Sequence, residues 1–420
     1  VIRYAPAILL GRAARFAARV RKPGGGSAVP GLVVNRLAPG FLPAVVTGFP
    51  EGLVVVTGSA GKSTTTKMLV AILRAHGLRV FTNPSTANIA QGLTSALLER
   101  ADLRGRIDAD IAVLEMDEGH GARLAPRLRP RVVLLTNVVV DQIDRFFDPA
   151  MVARMLAAIA ARATGRVVLN ADDRHVADIA SGLSDDIVRW YGVSDSVRAG
   201  FPRGLGYATD AEGGDRATTV VESTHGDAAE IRSDGDALAV RLPARGVHYA
   251  VDAAAAVSTA RAVLDARFDP ATTAHALSSI EPVFGRGEVV TVRGQEVEFV
   301  LVQNPASYRL NIAEIPDGTE QIMLAIGSDV RDPSYFWPVD TSVLRRVRVI
   351  SGSKAYEAAL HLRYDGVAVD AVDEDLGRAL ESFLALPTPT IGRKTIVFSA
   401  DSMRRTRSLL HLTTNREEPE

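Results

Sequence analysis

The chain contains no cysteine. That absence excludes disulfides, thiolate zinc sites and a cysteine nucleophile, and it fits a reducing, cytoplasmic setting. Long apolar runs are missing as well: no stretch approaches the roughly 20 residues that a membrane-spanning helix needs. Net charge is close to nil, at −1, so no nucleic-acid partner is expected. Acid is missing from one region in particular. Residues 1–40 hold Arg3, Arg12, Arg15, Arg19, Arg21, Lys22 and Arg36, and the first acidic residue is Glu51.

What is present suffices for ordinary cores. At 420 residues, 47% hydrophobic and 23% charged, the chain has the length of two or three domains. On a helix, Leu9, Ala13, Phe16 and Val20 share one face, and Arg12, Arg15, Arg19 and Lys22 another. Such a segment either touches an anionic membrane surface through 1–22 or packs on its own domain with the basic face in water. Its small, alanine-rich apolar face favours packing. It has neither an initiating Met nor an A-x-A cleavage site, so it does not read as a signal peptide. Pro23 and the glycines at 24–26 end it.

The stretch that organises the rest is Thr57, Gly58, Ser59, Ala60, Gly61, Lys62, Ser63, Thr64 and Thr65. An apolar run at 53–56 leads in, and a helical pattern at 66–75 leads out. Strand, glycine loop, lysine and hydroxyl, then helix is the order of a phosphate-binding loop. Backbone N–H groups of such a loop and of the helix start face phosphate oxygens. Lys62 would reach the outer phosphates and the Ser63 hydroxyl would hold Mg²⁺. The loop is a short form, because Val56 stands where the usual first glycine would be. The plain alternative is a glycine-rich turn with a chance lysine.

From 53 to about 170, strand and helix alternate: strands at 53–56, 78–82, 111–116, 131–137 and 166–169, helices at 66–75, 90–100 and 149–163. This predicts an α/β domain whose mostly parallel sheet is covered on both faces, with ligands bound beyond the carboxyl ends of its strands. Polar residues cluster at those ends. Glu115, Asp117 and Glu118 would hold Mg²⁺ directly or through water, or form a solvated acidic turn. Asn137 begins a polar run in which Asp141, Gln142, Asp144 and Arg145 suit nucleotide or metal contact, or surface ion pairs. Asn170 and Asp173 would meet base or ribose, or cap a helix. His120 and His175 receive no role.

Residues 195–245 are rich in Gly, Asp, Ser and Thr, with short β-like pieces at 217–222 and 237–242, and read as a small antiparallel excursion or a partly ordered insert. A helix follows at 246–267. A boundary at 284–288 places Arg286 between two glycines, where it would reach a γ-phosphate or simply sit in a hinge. Beyond it, strands at 289–302, 321–326, 347–351, 366–369 and 395–398, with helices at 354–362 and 374–384, make a second, smaller α/β domain. The expected division is a basic segment at 1–40, an ATP-binding domain at 41–283, a C-terminal domain at 284–414 and a tail at 415–420.

Taken in order, these motifs resemble the Mur ligase superfamily, and within it the MurT family, the ligase subunits of lipid II isoglutaminyl synthases. The likeness includes Asn83-Pro84-Ser85-Thr86-Ala87-Asn88-Ile89 after the second strand. In the second domain it includes Asn304-Pro305-Ala306, Asp332 to Trp337, and Ser351 to Tyr356. The resemblance implies a fold with a P-loop central domain and a smaller C-terminal domain. It implies that ATP and Mg²⁺ phosphorylate the α-carboxylate of D-glutamate in lipid II, and that ammonia from a GatD-type glutamine amidotransferase, held as a heterodimer, displaces the phosphate. Gly58, Gly61, Lys62, Ser63, Thr64, Asn137, Asn170, Asp173 and Arg286 then fall on nucleotide-binding positions. Lys62 and Glu115 would be catalytic, with Ser63 and Glu115 on Mg²⁺. Asp332 would support the partner's cysteine–histidine pair. The family's four-cysteine zinc ribbon is replaced by 195–245, so no zinc is expected. Ala60 stands where the family usually has Asn, and Pro338 where it has an acid. These departures leave open an alternative: a stand-alone ligase joining an amine or amino acid to a small-molecule carboxylate.

Overall fold

The computed structural model describes residues 4–21, 28–84, 87–139, 148–202, 204–211, 213, 216–280, 286–332 and 336–412, with backbone alone at 17–21 and 286. The helix stop at 23–26, Ser85 and Thr86, the acid–arginine cluster at 141–145, residues 284–285 and 333–335, the tail at 415–420 and the side chain of Arg286 lie outside the described residues.

Three helices, α1 (Ala5–Arg21), α2 (Val29–Leu37) and α3 (Phe41–Val46), precede the first strand. Then follow β1 (Leu53–Thr57), α4 (Lys62–Ala75), β2 (Val80–Thr82), α5 (Ala90–Arg100), β3 (Ile111–Glu115), α6 (Glu118–Leu124), β4 (Val132–Leu135), α7 (Pro149–Ala160), β5 (Arg166–Asn170), α8 (Arg174–Ala177), β6 (Val188–Val193), α9 (Asp195–Ala199), β7 (Thr219–His225), β8 (Ala228–Ser233), β9 (Asp236–Arg241), α10 (Val247–Leu264) and α11 (Pro270–Ser278). The second unit holds β10 (Arg286–Val292), β11 (Gln295–Leu301), α12 (Pro305–Ala313), β12 (Ile322–Ala325), β13 (Arg346–Ser351), α13 (Ala355–Tyr364), β14 (Ala368–Asp373), α14 (Leu376–Leu384), β15 (Lys394–Phe398) and α15 (Ala400–Leu409).

The strands form two sheets, in the orders β2-β3-β1-β4-β5-β6-β7-β8-β9 and β10-β11-β15-β12-β13-β14. The first is parallel from β2 to β7 and antiparallel from there to β9. The second is parallel except for the β10–β11 hairpin. β1 shows why the sheet is covered on both faces: its near-continuous apolar run buries every residue. Val54 and Val56 join Met68, Leu69 and Ile72 of α4 on one side. Leu53 and Val55 join Phe41, Leu97 and Leu156 on the other. Ala253–Ala256 of α10 are all buried beside α4, because methyl-sized side chains let the helix approach closely.

Two expectations need correction, and between them one open alternative is settled. Residues 289–302 form a hairpin and not one strand, since Arg293 and Gly294 both have positive φ (52° and 77°), the backbone of a two-residue turn. Arg-Gly is a weaker turn signal than Asn-Gly, so the alternating pattern reads straight through it. Of the two readings of 195–245, the antiparallel excursion holds: β7, β8 and β9 extend the main sheet as an antiparallel edge, although β8, with alternate residues buried, was not anticipated. Finally, α1 does pack on its domain, but not through the expected face. Tyr4, Ala7, Ile8 and Gly11 point inward, while Leu9 and Phe16 are exposed. Helices α2, α3, α6, α9, α11, α12 and α15 and strand β6 were also unforeseen.

Candidate active site

The site is assembled at the carboxyl ends of β1, β3 and β4, which lie side by side in the sheet. β1 ends at Thr57, and α4 begins after four intervening residues. Both loop glycines are required. Gly58 has φ +133°, and a Cβ there would lie 2.2 Å from Thr136 Oγ1; Gly61 has φ +80°, and its Cβ would lie 2.3 Å from Asp252 Oδ1. The loop is pinned from the side by the end of β4. Ser59 N donates to Asn137 O at 2.8 Å, Ala60 N donates to Asn137 Oδ1 at 2.9 Å, and Thr136 Oγ1 donates to Ala60 O at 2.8 Å.

Gly61, the residue before α4, offers no side-chain cap, and the first turn of the helix contains no acid. The helix start therefore has no cap from its own N-cap residue and presents the positive end of its dipole. Ser63 sits half-buried and Thr64 buried in that turn. Lys62 curls back over the loop: its Nζ donates to the carbonyls of Gly58 and Ser59 and pairs with Glu118 Oε1 at 3.2 Å.

Glu115 closes β3 and is buried. Asn83 clasps its main chain, accepting from Glu115 N at 3.0 Å and donating to Glu115 O at 3.1 Å, and Asn88 Nδ2 donates to Glu115 Oε1 at 3.1 Å. Asp117 caps α6, accepting from Gly119 N and His120 N.

Asn170 and Asp173 have no exposed surface. Asn170 Nδ2 donates to Thr136 O at 3.0 Å; Asp173 accepts from Val138 N at 2.5 Å and from Val176 N at 3.1 Å. They hold the turn that in turn holds the loop, and Asp173 also caps α8. Burial pushes the Asp173 carboxyl up to about 7. Burial also raises Asp172, against the opposing pull of Arg198 at 2.6 Å.

The site thus unites Gly58, Gly61, Lys62, Ser63, Thr64, Glu115 and Asn137. Arg286 opens β10, in the other sheet. Asp332 lies exposed on the connection from β12 to β13, also in that sheet. Asp252 was missed. It is buried beside Gly61 and is the one acid in α10, which was the available signal.

Residues 56–260 match the Mur ligase middle domain, and residues 301–393 match the MurT ligase C-terminal domain. The chain belongs to the Mur ligase superfamily of ATP-dependent amide-forming ligases. Its likeness extends along the chain to MurT. The lipid II isoglutaminyl synthase (glutamine-hydrolyzing) subunit MurT of Streptococcus pneumoniae is 27% identical over 406 residues, 87% of this chain and 88% of that one. Two solved structures share the fold. MurF from Acinetobacter baumannii superposes with a TM-score of 0.69 at 17% identity, over 91% of this chain and 80% of its own. Folylpolyglutamate synthase from Mycobacterium tuberculosis, complexed with ADP and AMPPCP, superposes with a TM-score of 0.64 at 16% identity, over 91% and 99%. Among the described residues no helix is long and apolar enough to cross a membrane.

Proposed function

We propose that this chain is the ligase subunit of a cytoplasmic two-subunit amidating enzyme that acts on the D-glutamate α-carboxylate of lipid II. The observation that carries the reading is an open, lysine-bearing phosphate loop in the same chain as a MurT-type C-terminal region. A carboxylate is a poor electrophile. Its oxygen attacks the γ-phosphorus of ATP, ADP leaves, and the acyl phosphate that results has a good leaving group. Ammonia then adds to the acyl carbon, inorganic phosphate departs, and a proton is released with the amide.

The residues have fitting parts to play. Gly58 and Gly61 keep the loop clear of side chains, and the N–H groups through Ser63 and Thr64 receive phosphate oxygens. Asn137 keeps the loop in shape. Lys62 exchanges Glu118 and the loop carbonyls for the outer phosphates and stabilises charge on the transferring group. The hydroxyls of Thr57 and Thr65 are buried without hydrogen-bond partners among the described residues, as beside a site that a ligand completes. Mg²⁺ takes oxygen ligands, one or two from protein and the rest from phosphate and water; the Ser63 hydroxyl and the Glu115 carboxylate are donors of that kind. When bound, it neutralises phosphate charge. Arg286 is proposed to approach the γ-phosphate from the second unit.

The nitrogen source is proposed to be a GatD-type glutaminase. A chain without cysteine cannot itself supply a cysteine nucleophile. Asp332 would face that partner, on the same connection as Trp337, an exposed ring that stacks on the buried His361 at 6.1 Å and packs against the exposed Tyr364 at 5.8 Å.

The test is ATP turnover by the purified chain, with and without a co-expressed glutaminase, on lipid II and glutamine, with carboxamide formation followed by mass spectrometry. Turnover should require the carboxylate and a nitrogen source, and Lys62→Ala should abolish it. Indifference to lipid II, with turnover on a small-molecule acid and an amine, would replace this reading by the stand-alone ligase.

A further inference from the structure

Helix α1 carries two apolar faces, and the domain uses only one. Tyr4 meets Phe41 edge-on at 5.8 Å, and Gly11 lies so close to α5 that a Cβ would come within 2.9 Å of Leu98 Cδ1. The helix is therefore seated firmly through Tyr4, Ala7, Ile8 and Gly11. At 100° per residue, Leu9 and Phe16 fall well away from that face, with Leu10 on its far flank. They are 54%, 73% and 51% exposed, respectively. Exposed leucines and a phenylalanine in one short helix need an explanation that scattered surface residues do not.

The charge around them indicates what covers them. Residues 1–50 contain seven basic residues and no acid. Among the described residues, an acidic partner comes from the packed neighbour: Glu99 pairs with Arg15 at 2.7 Å, while Arg12 donates to Ala101 O at 2.6 Å. Asp102 follows in the same loop, where it accepts from the amides of Arg104 and Arg106. Three apolar side chains fall far short of the roughly 20–30 residues per side of a stable protein interface. An apolar strip on a basic, acid-free segment is what an anionic lipid surface receives.

We propose that α1 docks on an anionic membrane surface, with Leu9, Leu10 and Phe16 entering the acyl boundary and the positive charge of this acid-free segment drawing it to the lipid phosphates. The helix would lie on the surface and not cross it. This deepens the reading above, in which the substrate is lipid-anchored, but its physical basis in α1 is separate from the phosphate loop.

The test is co-sedimentation of the full chain with phosphatidylglycerol–phosphatidylcholine vesicles and with phosphatidylcholine vesicles, at low and high salt. Binding is expected on the anionic vesicles alone and should weaken at high salt. Phe16→Ser, which changes no charge, should weaken it about tenfold. Affinity for an ATP analogue, measured in parallel, should not change. Loss of nucleotide binding would thus discredit the ligase reading without touching this one. No binding to anionic vesicles, or equal binding by Phe16→Ser, would overturn the proposal. So would a concentration-dependent dimer that Phe16→Ser dissociates, which would show a second copy on this face.

Discussion

Two helices that start at the carboxyl edges of the two sheets are finished in opposite ways. α12 opens with a capping box: Asn304 Oδ1 accepts from Ser307 N at 2.7 Å, Ser307 Oγ accepts from Asn304 N at 3.0 Å, and Pro305 removes one donor from the first turn. α4 opens at Gly61, which has no side chain to cap it, and its first turn holds a lysine and no acid. The same strand-to-helix corner is thus a closed joint in one unit and an open anion site in the other. Donors left for a ligand must be held by something else. Here the end of β4 does that, through Thr136 and Asn137, and the buried Asn170 and Asp173 stand behind them.

The comparison can be broken at several strengths. Gly58→Ala should have the largest effect. Its Cβ would collide with Thr136 Oγ1 at a φ that alanine rarely adopts, so titration calorimetry should detect no ATP-analogue binding by a chain that still folds. Unimpaired binding would mean that the loop is not the site.

Asp173→Asn comes next, and its effect depends on pH. Burial raises the carboxyl from 3.8 to about 7, so the folded chain keeps a proton that the unfolded chain has lost between those values. Stability from this group is complete below about pH 4 and falls as pH rises through about 7. Between about pH 5 and about pH 8 the wild type should lose about 3 kcal/mol relative to Asp173→Asn, read from urea midpoints. A constant difference would refute the buried, protonated carboxyl.

Asn304→Ala is the smallest. Loss of the cap should cost about 1 kcal/mol of stability and leave nucleotide affinity unchanged. If affinity fell with it, the second unit would be part of the phosphate site and the contrast between the two helices would fail.

Much of this was local and therefore legible in the sequence. The strand, loop and helix around Lys62, the span of α5 and the alternation that predicts a parallel sheet all depend on residues a few positions apart. Asp173 as a helix cap was one of two readings open from the residues alone. The β10–β11 turn was missed because Arg293 gives no turn signal, and β8 because its short alternating run lies among polar residues. The outward face of α1 was beyond a helical wheel: alanine and glycine make either side packable, and the choice fell to Phe41 and Leu98, far along the chain.

The sequence by itself determined the class of chemistry, because a phosphate loop is made by consecutive residues whose glycines and lysine are required by geometry. Only the tertiary structure decided which polar residues touch that loop and which stand behind it. Asp252 came to Gly61 from α10, nearly two hundred positions away, while Asn170 and Asp173 were drawn fully inside. Burial depends on what the rest of the chain packs on top, and no local pattern encodes that.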